Sequence, residues 1–378
     1  MSQSQKTEAD HVYDVLVVGM GAAGVGIGVA LRHAGIDNFL TVDRHGIGAS
    51  FERWPDEMRF ITPSFPTNSI GMLDINSIAI GASPAFGLQT EHPTGKQYAS
   101  HLRGVAKFFE LPIRTGIDVT KVSKVDDIFH VQSDADTFKA KHVIWAAGDF
   151  MYPRLNAFAG SEHCRHAATI DSYKDLEGDD FIIVGGYESG VDAAYNLAKL
   201  GKRVRLIDRE APWALGTSDP SVALSTYSLE RMRSDSFKDR VELIPETSIS
   251  SASRVGDMYQ LTTIDGQTFN SRTQPLVAAG FNGSHTLVSD LFEARDDGFP
   301  VLNEDDESTI SPGLFLVGAA VRHENLIFCF IFKYRQRFAV VAKAIATSLG
   351  LPAEYLETYR DWGMYLDDLS CCGEECVC

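Results

Sequence analysis

The sequence predicts an α/β protein built from two Rossmann-like dinucleotide-binding domains, the second inserted into the first. Two stretches carry that expectation. Residues 12–24 read VYDVLVVGMGAAG, a β-branched run leading straight into Gly19-x-Gly21-x-x-Gly24. Residues 181–208, FIIVGGYESGVDAAYNLAKLGKRVRLID, repeat the order of strand, glycine turn, helix, strand and terminal acid. Length agrees, because 378 residues exceed what one simple core holds.

In the first unit each glycine has a physical task. Gly19 permits the tight turn, Gly21 lets backbone approach a pyrophosphate, and Gly24 lets helix and strand pack closely. The small residues Ala22 and Ala23 open a helix whose free N–H groups and dipole suit phosphate. The next strand, NFLTVD, ends in Asp43, placed to hold a ribose hydroxyl pair, with Arg44 beside it.

The second unit keeps Gly185 and Gly190 in the outer places, with Gly186 between them. Tyr187 takes the middle place, where a side chain crowds a pyrophosphate unless the loop swings outward. Glu188 and Ser189 begin the helix. Asp208 favours a free 2′-hydroxyl and NADH, whereas Arg209 suits the 2′-phosphate of NADPH, so both donors stay open. Two such sites imply one fixed redox cofactor and one diffusible hydride donor.

Composition narrows the partners. A formal charge of −17 argues against nucleic acid or an anionic membrane. The polar N-terminus MSQSQKTEADHVYD lacks a signal-peptide pattern, and the apolar run NLIFCFIF is too short to span a bilayer. Cys164 and Cys329 stand alone while four of the six cysteines crowd the last eight residues, a pattern suited to a reducing cytoplasm rather than a disulfide scaffold.

Taken in order, further motifs resemble those of two-dinucleotide-binding-domain flavoproteins, in particular the bacterial flavin-containing-monooxygenase-like group that includes cation-efflux-associated flavoproteins. They are GMGAAG with Asp43, GIGASFERWP at 46–55 with Ser50 and Trp54, and VIWAAGDFMYP at 143–153 with Gly148. PLVAAGF at 275–281, with Gly280, and SPGLFLVGAA at 311–320, with Gly318 and Ala319, complete the set. The resemblance implies FAD and NADPH or NADH as cofactors. It also implies an FAD domain over 1–155 and 285–350, a nicotinamide domain over 175–280, and a helix with a Cys-rich tail over 351–378. Pro153 and Gly280 then mark the crossings. Within the family's Phe-x-Gly-x-x-x-His pattern, Phe158 and Gly160 match and Cys164 replaces the histidine, flanked by His163 and His166.

The resemblance further implies hydride transfer from nicotinamide to flavin, then on to O2 and a soft nucleophilic small-molecule substrate. Asn68, in ITPSFPTNSIGM, is the catalytic candidate by similarity, its bland alternative being a turn cap. A helix within AAVRHENLIFCFIFKYRQRFAVVAKAIATSLG is expected to start at the flavin's pyrimidine end, with Lys333, Arg335 and Arg337 on a solvated or pyrophosphate-adjacent face. Cys329 reads as a packing residue and His323 and Glu324 as possible flavin or substrate contacts.

The cysteine pairs that disulfide reductases stack on their flavin have no counterpart in 44–60 or 181–285, and Ala23 stands where related bacillithiol disulfide reductases carry cysteine. The end of the chain offers another route. Residues 351–369 read as a proline-started amphipathic helix with Tyr355, Tyr359 and Trp362 near one side. The following SCCGEEC resembles the C-terminal Ser-Cys-Cys of mercuric reductases, which makes Cys371 and Cys372 catalytic candidates. Cys371, Cys372, Cys376 and Cys378 are also candidate ligands for a soft metal ion. Reduction of a thiol, disulfide or metal-thiolate substrate is therefore the rival activity, and metal binding or sensing a third reading. A homodimer staple is a further use of the tail.

Overall fold

The run VYDVLVV forms β1 (Val12–Val18), whose last four residues are buried. In the computed structural model, which describes residues 11–66, 73–216 and 221–371, this strand lies at the middle of a seven-stranded sheet. β2 (Phe39–Asp43) and β3 (Ile113–Thr115) extend the sheet in parallel on one side. β4 (Val119–Val125), β5 (Ile128–Ser133) and β6 (Thr137–Trp145) form an antiparallel meander that returns β6 parallel to β1 on the other. α1 (Ala22–His33) is buried from Ala22 to Leu31, as expected of a helix covered on all sides. The short α2 (Ala49–Glu52) and α3 (Pro84–Leu88) precede α4 (Gly95–Phe108). Thr94 and Gln97 close a reciprocal capping box at the start of α4.

A second sheet gathers β7 (Arg165–His166), β8 (Asp180–Val184), β9 (Arg203–Ile207) and β10 (Val241–Ile244). α5 (Glu188–Lys199) links β8 to β9, and α6 (Thr226–Met232) and α7 (Asp235–Arg240) precede β10. β11 (Ile249–Val255), β12 (Met258–Thr263) and β13 (Thr268–Ser271) form a separate antiparallel sheet. β14 (Leu276–Val277) then enters the second sheet between β8 and β7, all of its strands parallel. β15 (Leu314–Leu316) returns to the first sheet beside β6.

The chain thus crosses between sheets twice, and the crossings are paired. Pro153 bridges Phe281 antiparallel, Arg154 N–H donates to the Gly280 carbonyl at 3.0 Å, and Asn282 N–H to that of Tyr152 at 2.8 Å. Ser284 N–H donates to Gly148 at 2.9 Å, and its hydroxyl accepts from the buried Trp145 indole at 3.0 Å.

Three expectations are corrected. The helix after β15 is delayed by a hairpin, β16 (Arg322–His323) with β17 (Leu326–Ile327), turned by Glu324 at φ 47°. Only then come α8 (Ile331–Tyr334), a 3-10 turn at Arg335–Arg337, and α9 (Phe338–Ser348).

Second, Lys333, Arg335 and Arg337 are buried rather than solvated, because each supplies donors to a distant segment. Arg337 pairs with fully buried Asp306 at 2.9 Å and donates to the Glu304 and Leu366 carbonyls. Arg335 donates to the carbonyls of Asp74 and Ser77, and Lys333 to the Ser221 hydroxyl at 2.7 Å.

Third, the C-terminal segment is a 3-10 helix, Glu354–Trp362. Its three-residue period aligns Leu356, Tyr359 and Trp362. Leu356 and Tyr359 are buried, and Tyr359 hydrogen-bonds His33 of α1 at 2.7 Å, whereas Tyr355 stays exposed.

Candidate active site

The first glycine turn is shaped by contacts that only glycine tolerates. Gly19 has φ +110°, and a Cβ there would run into the Ala146 carbonyl; one at Gly24 would run into the Gly19 carbonyl. At Gly21 a Cβ would meet nothing nearer than Ser50 Oγ at 3.9 Å, so the space above the start of α1 is open. Asp43 holds the turn in place: one carboxylate oxygen accepts from Met20 N–H at 2.9 Å, the other from His45 and Gly46 N–H at 2.7 and 2.8 Å. Three bonds leave acceptor capacity for a ribose hydroxyl. An open seat at the amino end of a buried helix, with a carboxylate at the next strand end, fits the dinucleotide part of FAD.

A cavity of about 370 Å³ opens from this turn. It is lined by Gly19, Gly21, Ala22, Ala23, Asp43, Arg44, Ser50, Trp54, Gly148, Gly318 and Ala319 from the expected cofactor set, with Gly24 packed behind them. Phe51, Trp54 and Phe60 form an aromatic wall, with Trp54 and Phe60 centroids 5.0 Å apart. Phe330, Ile331, Tyr334 and Cys329 form another wall. Glu188, Ser189 and Asp192 reach the same cavity from α5, so the second unit contributes directly to the space beside the first turn.

Electrostatics in the cavity are dominated by burial. Asp149, which lines it, has its carboxyl pKa pushed up by desolvation, against the opposing pull of Arg322. Tyr334 is held protonated by burial, and Arg322 is pulled down by it. Asp192 is likewise raised by burial against the pull of Arg231, with which it forms a buried ion pair at 2.7 Å. Tyr173 OH donates to the same carboxylate at 3.2 Å.

The second turn repeats the first bond for bond. Gly185 N–H donates to the Ile207 carbonyl as Gly19 N–H does to that of Val42, at 2.9 and 2.8 Å. A Cβ at Gly185 would strike the Ala278 carbonyl, and one at Gly190 the Gly185 carbonyl. Asp208 accepts from Gly186, Glu210 and Ala211 N–H at 2.6, 2.7 and 2.9 Å, the counterpart of Asp43. Arg209 pairs with Glu210 at 3.0 Å on the surface. The space above the turn differs from that above Gly21. The Trp213 indole lies where a Gly186 side chain would go, and Tyr187 donates its hydroxyl to the Ala223 carbonyl at 2.9 Å. Gly280, the remaining member of the cofactor set, sits in the paired crossings with φ +81°.

Asn68, Cys372, Cys376 and Cys378 lie outside the described residues, and of Cys371 only the backbone is described. Among the described residues no group of three or more His, Cys, Asp or Glu is placed to hold a metal ion. No described helix is long and apolar enough to cross a membrane. Cys164 packs among apolar residues between the second sheet and the β11–β13 sheet, and burial, then Glu162, push its thiol up to about 12, which leaves it inert. Cys329 is only partly buried; its thiol donates to Ser221 Oγ at 3.4 Å in the cavity wall, so the packing expectation for it is corrected. His323 bonds the buried Asp306 carboxylate at 2.6 Å and lines a separate cavity, not the one at the first turn.

Sequence reading missed Asp149, Tyr334 and the Asp192–Arg231–Tyr173 cluster. Asp149 was accessible to it, because it directly follows the hinge glycine in AAGDF. The cluster had no local signal, since its members come from three separate segments.

Comparison with known proteins agrees with this geometry. Residues 16–318 match the model of the family described as pyridine nucleotide-disulphide oxidoreductase. The chain is 25% identical over 193 residues to the uncharacterized oxidoreductase CzcO of Bacillus velezensis, covering 50% of this chain and 52% of that protein. It therefore spans about half the length of the first relatives it matches. It is 24% identical over 341 residues to the bacilliredoxin reductase Bdr of Bacillus subtilis, covering 88% and 97% of the two chains. Among solved structures, the bacillithiol disulfide reductase of Staphylococcus aureus superposes with a TM-score of 0.71 at 18% identity, over 89% of this chain and 99% of that one. The flavin-containing monooxygenase of Stenotrophomonas maltophilia superposes at 0.67 and 16% identity, over 89% and 98%. At these identities the superpositions establish the fold alone, and the family match over most of the length shows the family: the chain belongs to the pyridine nucleotide-disulphide oxidoreductase family.

Proposed function

We propose that the chain is an FAD-dependent NAD(P)H oxidoreductase of the flavin-containing-monooxygenase-like kind, acting on a soft nucleophilic small molecule with O2. One observation carries the reading: a single cavity is shared by the first glycine turn, the aromatic wall at 51–60, the 318–334 segment and the start of α5. Bound there, FAD would accept hydride from the nicotinamide donor and pass its electrons onward. In this reading the FAD domain is 1–155 with 285–350, the nicotinamide domain is 175–280, and 351–378 is an appended C-terminal segment.

The residues have distinct tasks. Gly19, Gly21 and the amino end of α1 seat the pyrophosphate, and Asp43 holds the ribose. Phe51, Trp54, Phe60 and Phe330 keep water from the reacting centre, which protects a reduced cofactor from wasteful side reactions. Asp149 lines the cavity with a carboxyl whose pKa burial raises, so its neutral form is favoured more than that of an exposed aspartate. Superposition on the S. maltophilia monooxygenase is compatible with this reading.

A second reading, reduction of a thiol or disulfide substrate, is favoured by Cys329, whose thiol lines the cavity, and by the extent of the match to Bdr. Oxygen consumption separates the two. The purified holoprotein is reduced with NADH or NADPH, and oxygen uptake is followed with organosulfides and amines as substrates. Substrate-dependent oxygen uptake, unaffected by truncation after Ser370 or by Cys329→Ser, supports the first reading. Turnover of a disulfide under nitrogen that Cys329→Ser or the truncation abolishes, with no substrate-coupled oxygen uptake, overturns it.

A further inference from the structure

The two glycine turns are alike in backbone and opposite in what stands above them. Over the first, the space above Gly21 is open. Over the second, the place of Gly21 is taken by Tyr187, whose hydroxyl is fastened to the Ala223 carbonyl at 2.9 Å. Glu188, the first residue of α5, accepts from Ser225 N–H at 2.5 Å, from Ser225 Oγ at 3.2 Å and from Ser228 Oγ at 2.6 Å. The Trp213 indole covers Gly186. A carboxylate, an aromatic side chain and an indole therefore stand where the donor's pyrophosphate would meet the start of α5.

We infer that residues 221–228 form a strap latched over the second turn by Tyr187 and Glu188, and that the donor dinucleotide reaches its seat only when this latch releases. The inference rests on the reading of the second unit as the donor site.

The chemistry of the latch makes the closed form stable without a ligand. A helix amino end attracts negative charge, and Glu188 supplies it from the first turn of α5. The same carboxylate also satisfies the backbone N–H of Ser225, the capping residue of α6. An incoming pyrophosphate at the start of α5 meets the like charge of this carboxylate, so its binding disfavours the latched position of Glu188. The strap also reaches the first sheet's side. Tyr227, within the strap's helix, stacks on His92 at 3.9 Å, and Ser221 accepts from Lys333 at 2.7 Å. Release is therefore felt in the wall that carries Cys329. A donor that binds only the open form has its apparent affinity reduced by the open fraction, so weakening the latch tightens binding.

The test uses the FAD-loaded protein with NAD⁺ and NADP⁺ as non-reducing probes. Binding is measured by calorimetry for the wild type, Tyr187→Phe and the double variant S225A/S228A, with thermal unfolding as a check that each folds. Hydrogen exchange is followed over 221–228. Expected are binding about tenfold tighter in either variant and faster exchange of the strap in the wild type once dinucleotide is bound. Unchanged or weaker binding in a folded variant, or strap exchange that dinucleotide leaves unchanged or slows, overturns the latch. If flavin is nonetheless reduced by NADH or NADPH, the donor reading survives that failure. If neither dinucleotide binds and neither donor reduces the flavin, both are overturned.

Discussion

At the scale of single residues, Gly19 and Gly21 stand two positions apart and answer to different demands. Gly19 has φ +110° with the Ala146 carbonyl against it, so Gly19→Ala meets strain and collision together. It should cost more than about 3 kcal/mol in denaturant unfolding of the flavin-free protein. Gly21→Ala meets only Ser50 Oγ at 3.9 Å. Its flavin-free stability should stay within about 0.5 kcal/mol of wild type, while FAD dissociates about tenfold more readily or worse, because the added methyl stands in the cofactor's seat. Equal effects of the two substitutions would refute the assignment of Gly21. Asp149 gives a pH signature. Its pKa is raised above the ordinary 3.8 by burial. The unfolded chain therefore releases this proton first as pH rises, and the stability Asp149 contributes at low pH is lost as pH climbs through the raised folded value. Asp149→Asn should gain on the wild type in thermal unfolding as pH rises above the ordinary 3.8, levelling off once the raised folded value is passed, and parallel curves would contradict the sign.

At the scale of elements, the C-terminal segment separates docking from tail. Leu356, Tyr359 and Met364 are essentially fully buried against the first core. Truncation after Gly350 removes all three and the carbonyl of Leu366 that Arg337 needs, and should cost roughly 5 kcal/mol or more of unfolding free energy. Truncation after Ser370 should leave the midpoint unchanged, since the buried anchors remain. The elements also show what was legible in the sequence. Both glycine turns, their terminal acids and the strands around them are local features, each fixed by residues within a short window. Pro153 and Gly280 mark the two crossings in the sequence, but their pairing joins distant segments and had no local signal. The hairpin at Arg322–Ile327 was not legible, because it depends on a left-handed turn at Glu324 rather than on a glycine. Nor was the burial of Lys333, Arg335 and Arg337, whose partners Ser221, Asp74 and Asp306 lie far away along the chain. Trp213 over Gly186 belongs to the same class: the fingerprint names the turn but not what covers it.

At the scale of the whole molecule, the net charge of −17 makes self-repulsion the long-range force acting on the folded state. Screening should relieve it, so raising sodium chloride from about 0.01 to 0.15 M, where the Debye length falls from about 30 to 8 Å, should raise the unfolding temperature. A fall would mean that attractive ion pairs, such as Arg360 with Asp367 at 2.6 Å, outweigh the repulsion. The chain passes between the two sheets at the two crossings. The first turn, the aromatic wall and α5 meet at one cavity, and side-chain contacts such as Ser172 with Glu57 and Lys333 with Ser221 join the two halves beside the crossings.

The crossings at 148–154 and 280–284 lie side by side as a two-stranded ribbon, with rungs at Gly148–Ser284, Tyr152–Asn282 and Arg154–Gly280. Such a ribbon resists splaying, which would break its rungs, and yields to torsion, which only tilts them. Any twist of the two sheets relative to each other would therefore act about this ribbon. Ser284 also takes the hydrogen of the Trp145 indole, which ties one end of the ribbon to the end of β6, beside Ala146, which backs the first glycine turn. A twist about a ribbon tied there would move α5 more than the first glycine turn, and would have to part the contacts of Tyr227 with His92 and of Lys333 with Ser221.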